Sequence, residues 1–408
     1  MERHSMSSLV RLIFLGLVSC CVFAAKNTAI AGDAIADLQW VCPFPLLPAR
    51  FSSVHGITVV DTGFSDGVIF DSETIDLGAE GYQMSEARLV TQITRQKATA
   101  WERVPFSLAE MPISYIRAIR QDLTPIRKRL SYPIEFVAGV PCLNDRKLTF
   151  TKHIQHVELA MSDDEDSVLM GDELQIHLDR YDCPMIDLRL PILGHRQIAL
   201  DTCCDFPLCL TQERIESLVR LGAATKIAST STFLDGLGTV EESDFVYILR
   251  EVSIGETTIT NVPVLPGELE AIGTGIIRYF DVSLDLKRKL ARFTLPDGQN
   301  ARIEFSRKAS GLSCRSIGRD RIRVEVVEEN SAGDAAGLHS GDIIYTIDGN
   351  PVSELSHWDR IDVFSQAGTT LELSVERDGE LRDVALKLRY DIPYPPEWPP
   401  EAPEFNPE

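Results

Sequence analysis

Cations are scarce in this chain. Its 408 residues carry 40 Lys and Arg against 61 Asp and Glu, a formal net charge of −21. A partner that presents a phosphate backbone needs many cations to displace its counterions, so this balance argues against nucleic acid. Histidine is sparse too, with 8 in all. His153 and His156 lie three apart, but no Cys or carboxylate beside them has zinc-site spacing. The 9 cysteines include no Cys-x-x-Cys pair. Neither a metal nor another cofactor is expected. Cys204 and Cys209 have no His in their own segment, which speaks against a thiol nucleophile. Beyond the N-terminus no apolar run approaches the roughly 20 residues that span a bilayer. What remains is an ordinary globular composition, 44% hydrophobic and 25% charged, at a length suited to two or three domains.

The first 31 residues have the layout of an export signal. Arg3, His4 and Arg11 precede an apolar stretch from Leu12 to Ala25, and Ala29-Ile30-Ala31 offers small residues at a cleavage point. The protein is therefore expected to be exported, periplasmic or extracellular. Leu17-Val18-Ser19-Cys20 is similar to a lipobox, so contact with a membrane would come only through a lipidated Cys20. Seven cysteines follow the signal; an export route permits disulfides, and an odd count leaves at least one thiol over.

The body repeats itself. Ile57-Thr58-Val59-Val60-Asp61-Thr62-Gly63-Phe64-Ser65, then Val68-Ile69-Phe70, is matched by Ile198-Ala199-Leu200-Asp201-Thr202-Cys203-Cys204-Asp205, then Leu208-Cys209-Leu210. Each is an apolar strand, an Asp-Thr pair, a short turn and a second strand. Each is followed, at a similar distance, by an apolar pair ending in Gly: Val137-Ala138-Gly139 and Ala271-Ile272-Gly273. This argues for duplicated lobes, 48–160 and 172–296, joined by an acidic stretch from Met161 to Asp166. The lobes read as mainly β, from short runs bounded by Gly, Asp and Pro. Helices are expected over Gln212–Leu221 and over Ser114–Leu123, the latter stopped by Pro125.

These residues resemble the retropepsin-like aspartic protease family, whose pattern is two apolar residues, Asp-Thr/Ser-Gly, and a later apolar pair before Gly. The resemblance implies two β-barrel lobes, each contributing one catalytic carboxylate, here Asp61 and Asp201. It implies that Thr62 and Thr202 lock the two turns together, and that Gly63, Ser65, Gly139 and Gly273 support them. Two carboxylates a few ångströms apart cannot both ionise, so they share a proton. The ionised one then activates water while the protonated one polarises the peptide carbonyl. The second lobe departs from the pattern. Cys203 replaces the Gly, and its side chain is expected to disturb the tight turn. Asp205 adds a carboxylate near Asp201. The dyad working, the second lobe serving only to shape a cleft, and an inactive scaffold all stay open. A Gly-rich hairpin tip at Leu234–Thr239 is a candidate flap over the cleft.

Residues 308–390 change character. Ser331-Ala332-Gly333-Asp334-Ala335-Ala336-Gly337-Leu338-His339-Ser340-Gly341-Asp342-Ile343-Ile344 follows an alternating strand through Ile322, Val324 and Val326 and precedes an Asp348-Gly349 turn. The segment resembles the PDZ family, an α+β fold that binds an extended peptide beside an edge strand. The resemblance places a peptide carboxylate at Gly311, Leu312, Ser313 and Cys314. It places His357 at the start of the groove helix, where it reads a ligand side chain or is an ordinary exposed helix residue. The tail, 391–408, is rich in Pro and Glu and is expected to be disordered. Two functions follow: an exported aspartic endopeptidase whose substrate is a peptide or protein, with a PDZ module for peptide docking, or a degenerate scaffold that only binds peptides.

Overall fold

The computed structural model describes residues 42–52, 54–71, 77, 81–90, 95–130, 133–151, 156–162, 171–234, 240–296, 302–305, 308–390 and 398. The segment expected to be an export signal, most of the acidic linker, and the tail apart from Trp398 lie outside the described residues. The chain is mainly β: two six-stranded barrels and a C-terminal β-rich domain.

The first barrel contains β1 (Leu46–Phe51), β2 (Val54–Val60), β3 (Val68–Asp71), β4 (Met84–Val90), β5 (Arg95–Leu108), β6 (Met111–Gln121) and β7 (Ile134–Ala138). Its ring runs β1-β2-β7-β3-β6-β5 and closes where β1 pairs with β5. Closure removes the open edges that make flat sheets sticky. Its interior is aromatic: Phe51 stacks on Phe70 at 5.3 Å, and Phe106 meets Phe136 edge-on at 5.9 Å. Such pairs add about 0.5–1.5 kcal/mol each beyond the area they bury.

β8 (Arg146–Thr151), β9 (His156–Met161), β10 (Asp172–Gln175) and β11 (His177–Leu178) lead to the second barrel. That barrel contains β12 (Pro184–Leu190), β13 (Gly194–Leu200), β14 (Leu208–Leu210), β15 (Ala224–Leu234), β16 (Val240–Ile254), β17 (Thr257–Pro266) and β18 (Ala271–Ile272). The ring β12-β13-β18-β14-β17-β16 closes through β12 and β16. Its core is aliphatic, built from residues such as Ile186, Leu188, Ile198, Leu249 and Ile259, all fully buried. β19 (Asp281–Asp285) and β20 (Leu290–Thr294) then join β8, β9 and β10 in one five-stranded sheet. There β8 pairs antiparallel with β19, Leu148 opposite Leu284, so both halves of the repeat share a sheet.

The two expected helices fare differently. α2 (Gln212–Arg220) forms with Ile215 and Leu218 buried. Ser114–Leu123 is not a helix, because β6 occupies it. Ile116, Ala118 and Ile119 are all buried, so the segment is apolar on both faces and mimics helical spacing. Pro125 starts the following helix, α1 (Thr124–Leu130), where its missing N–H costs nothing.

α3 (Thr274–Ile277) follows Gly273, and β21 (Arg302–Glu304) pairs with β17. The C-terminal domain contains β22 (Leu312–Ile317), β23 (Arg321–Val327), α4 (Ala332–Ala335), β24 (Ile343–Ile347), β25 (Asn350–Pro351), α5 (His357–Asp362), β26 (Thr370–Arg377) and β27 (Glu380–Lys387). Its sheet order is β22-β23-β24-β26-β27, which leaves β22 at an edge. Arg377, on the adjacent strand β26, clamps Asp342 just before β24, with both hydrogen bonds at 2.7 Å.

Trp398 docks on the second barrel. Its ring joins Cys204, Cys209, Val246, Ile248 and Leu265, and its indole N–H donates to Asn261 Oδ1 at 3.1 Å.

Candidate functional site

The two Asp-Thr turns meet at the junction of the barrels. Thr62 and Thr202 are fully buried and bonded reciprocally. The Thr62 N–H donates to Thr202 Oγ1, and the Thr202 N–H to Thr62 Oγ1, both at 3.1 Å. Each hydroxyl then donates across the junction, Thr62 to the Leu200 carbonyl at 2.5 Å and Thr202 to the Val60 carbonyl at 2.6 Å. Hydroxyls in a dry site that satisfy two backbone amides and two carbonyls leave neither turn free to rotate.

The same symmetry extends outward from the threonines. The Asp61 N–H donates to the Ala138 carbonyl at 2.9 Å, and the Asp201 N–H to that of Ile272 at 3.0 Å. The Phe64 carbonyl accepts from the Val140 N–H at 2.8 Å, and the Cys204 carbonyl from that of Thr274 at 2.7 Å. Gly139 and Gly273 are needed for this approach. A Cβ at Gly139 would lie 2.2 Å from the Asp66 carbonyl oxygen, and one at Gly273 would lie 2.1 Å from that of Phe206.

The carboxylates sit on this scaffold. Asp61 Oδ1 accepts from the Gly63 N–H at 2.8 Å, and Asp201 Oδ1 from the Cys203 N–H at 2.8 Å. Asp61 is 8% exposed and Asp201 is half-buried. A Cβ on Gly63 would stand 2.7 Å from both Cγ and Oδ2 of Asp201. The second carboxylate therefore lies directly against the turn that holds the first.

Cys203 does not disturb its turn. It keeps the same N–H bond to its Asp as Gly63, and neither residue has a positive φ. Its side chain is buried among Cys42, Phe44 and Leu46 of the first barrel. Asp205 and Asp201 both act electrostatically on the Cys204 thiol. Asp205 also lines a cavity in the C-terminal domain described below.

Sequence reasoning missed Cys183. The thiol donates to the Gly63 carbonyl at 3.4 Å and bonds to Ser65. Burial pushes its pKa up to about 12, and Asp179, Asp61 and Asp201 push the same way. It is thus a protonated thiol beside the carboxylate pair. Its signal was faint, since nothing in its own segment marks it as a neighbour of the first turn.

The candidate flap tip, 235–239, lies outside the described residues. Its flanks pair Leu234 with Val240 as a β15–β16 hairpin. In the first barrel β4 and β5 form the equivalent hairpin, with Val90 opposite Arg95.

A second site lies in the C-terminal domain. Leu312, Ser313, Cys314 and His357 line one cavity between β22 and α5, with Trp358, Ile361 and Phe364. Gly311 sets the turn that leads into β22, with φ of 65° and no room for a Cβ against Ser331. His357 is the first residue of α5, capped by Ser356 in a capping box. Burial pushes the Cys314 thiol up to about 11.

The domain is fastened to the second barrel by Arg278, which is almost fully buried. Its guanidinium donates to Asp362 of α5 at 3.0 and 3.1 Å, and it stacks on Tyr279 and Trp358, each at 4.6 Å. A buried cation is costly unless so paired.

Residues 298–388 match the family described as PDZ domain. The chain therefore carries a PDZ domain, a class that binds peptides or proteins, and the edge strand and helix above frame its groove. No curated protein matches the chain.

Proposed function

We propose that the barrels form an exported aspartic endopeptidase in which Asp61 and Asp201 share one proton and activate a water for peptide hydrolysis. The PDZ domain docks a peptide of the substrate or of a partner. The observation that carries this reading is the reciprocal Thr62–Thr202 lock, which seats Asp201 against the turn of Asp61. Held there, one carboxylate acts as base toward water and the other donates to the scissile carbonyl, because close like charges disfavour double ionisation. The resemblance of Val60-Asp61-Thr62-Gly63-Phe64-Ser65 to the retropepsin-like pattern supports the same assignment, and the N-terminal signal supports export.

The test is cleavage of casein and of peptide libraries at mildly acidic pH, with and without pepstatin. Asp61→Asn and Asp201→Asn should each lower the rate about 10²–10⁴-fold. If the wild type and both variants are equally inert across pH 3–7, the enzyme reading fails.

The second reading is a peptide-binding scaffold. It is favoured by the one family match lying in the PDZ domain and by the neutral Cys183 thiol packed beside the carboxylates. In that case peptide binding at the PDZ groove persists without any turnover.

A further inference from the structure

The second turn carries two thiols that the carboxylate chemistry does not use. Cys204 and Cys209 stand three and eight positions beyond Asp201, as Phe64 and Ile69 do beyond Asp61. Phe64 and Ile69 share one apolar cluster of the first barrel, and Cys204 and Cys209 share one of the second. The repeat therefore brings these two positions together in both lobes. In the second lobe the contact is direct, because the two thiols are hydrogen-bonded to each other. Cys204 also reaches the Phe206 carbonyl at 3.7 Å.

The backbone on either side is fixed. The Cys204 carbonyl accepts from the Thr274 N–H at 2.7 Å and from the Thr274 hydroxyl at 3.0 Å. Cys209 lies in β14, opposite Ala271 of β18 and Leu265 of β17. The next residue of β18, Ile272, accepts the Asp201 N–H. The pair is also covered. Each cysteine is 1% exposed, and Trp398 packs on their cluster with its indole held by Asn261 and its ring 5.2 Å from the Arg250 guanidinium. Contact with Cys209 and burial hold the Cys204 thiol well above its ordinary pKa. It stays protonated and slow to react while the cover is closed, because the thiolate is the nucleophile. Two touching sulfurs need only approach to about 2.0 Å to be bonded.

We propose that Cys204 and Cys209 close a disulfide that pins the Asp201 turn to β14 and is sealed beneath Trp398. The oxidant is itself a disulfide. One cysteine thiolate attacks it and expels one of its sulfurs as a thiolate. The second cysteine then attacks the mixed disulfide and expels the other. Two electrons and two protons pass from the pair to the oxidant, which leaves as two thiols. This rests on the export part of the function proposed above only for the oxidant met on export, and it is independent of hydrolysis and of peptide docking.

The full chain, reduced and then equilibrated with oxidised glutathione, is alkylated and digested with trypsin. Cys203, Cys204 and Cys209 fall in one fragment, 197–214. That fragment should be lighter by two hydrogens and carry a single alkyl group. The bridge should survive Cys203→Ala and vanish in Cys204→Ala and in Cys209→Ala. Trp398→Ala should speed its formation about tenfold, since access sets the rate of exchange. Dithiothreitol should lower the thermal midpoint of the oxidised wild type by about 3–6 °C and leave that of Cys209→Ala unmoved. Three alkyl groups on the wild-type fragment, or a bridge that survives in Cys204→Ala or Cys209→Ala, overturns the disulfide. A rate unchanged in Trp398→Ala overturns the seal, and an equal response of both proteins to dithiothreitol overturns the pinning.

Discussion

The turns at 61–65 and 201–205 occupy equivalent places yet solve the same problem with different residues. In the first, Gly63 leaves space that the Asp201 carboxylate fills. In the second, Cys203 sends a side chain away from the carboxylates and into the core of the opposite barrel. Both keep the same N–H bond at 2.8 Å. A glycine at this place is therefore required by what approaches it rather than by its own φ, since neither turn residue is left-handed. A substitution that looks disabling in one lobe is accommodated where the neighbour across the junction is apolar.

The comparison breaks most sharply at Gly63. Gly63→Ala should cut any peptidase rate by about 10²-fold or more, because its methyl displaces the Asp201 carboxylate from its working position. Cys203→Gly should leave the rate within about threefold, and kcat/KM of the two variants decides the point. Thr62→Val and Thr202→Val sharpen the symmetry. Each removes a hydroxyl that pairs a buried amide and a buried carbonyl, so each should cost about 2–4 kcal/mol in urea unfolding, and by similar amounts. Unequal costs would show that one turn carries the lock.

A control away from the junction is Asp342→Asn in the PDZ domain. Burial pushes the Asp342 carboxyl up, but the Arg377 guanidinium and the His339 N–H more than offset this, and its pKa is lowered. A lowered carboxyl contributes stability above its unfolded pKa, about 3.9, that is lost as pH falls through the folded value. The substitution should thus cost about 2 kcal/mol at pH 7 and progressively less below about pH 4, with the carboxylate pair untouched. The smallest effect expected is Cys203→Ala, about 1 kcal/mol for a buried sulfur packed in an apolar cluster. A thermal shift as large as that of the threonine variants would mean that Cys203 does more than fill space.

The junction was legible in the sequence because its demands are local. Asp-Thr at a strand end and a distal Gly are forced by backbone contacts within ångströms, and both recur in each lobe. The PDZ domain was legible for a similar reason, through Gly337, Gly341 and Gly349, all at positive φ. Ser114–Leu123 misled because a strand buried on both faces loses its alternation. Cys183 and Arg278 gave no warning, and Asp205 gave none of its place on the cavity wall. Their roles come from elements that meet only after folding: β12's approach to the first turn, the groove's shared wall, and the pairing with α5. No periodicity encodes contacts of that kind.

The pairing of β8 with β19 has a consequence for how the two halves can exist apart. Leu148 and Phe150 on one side, and Val282 and Leu284 on the other, cover one another only when both halves are present. A fragment ending at Met161 would leave β8 with an open backbone edge beside apolar side chains, which is a template for another copy. Separately expressed halves should therefore precipitate or pair with themselves, and co-expression should rescue both. Gene splitting at this point is tolerated only if each half finds the other before it finds its twin.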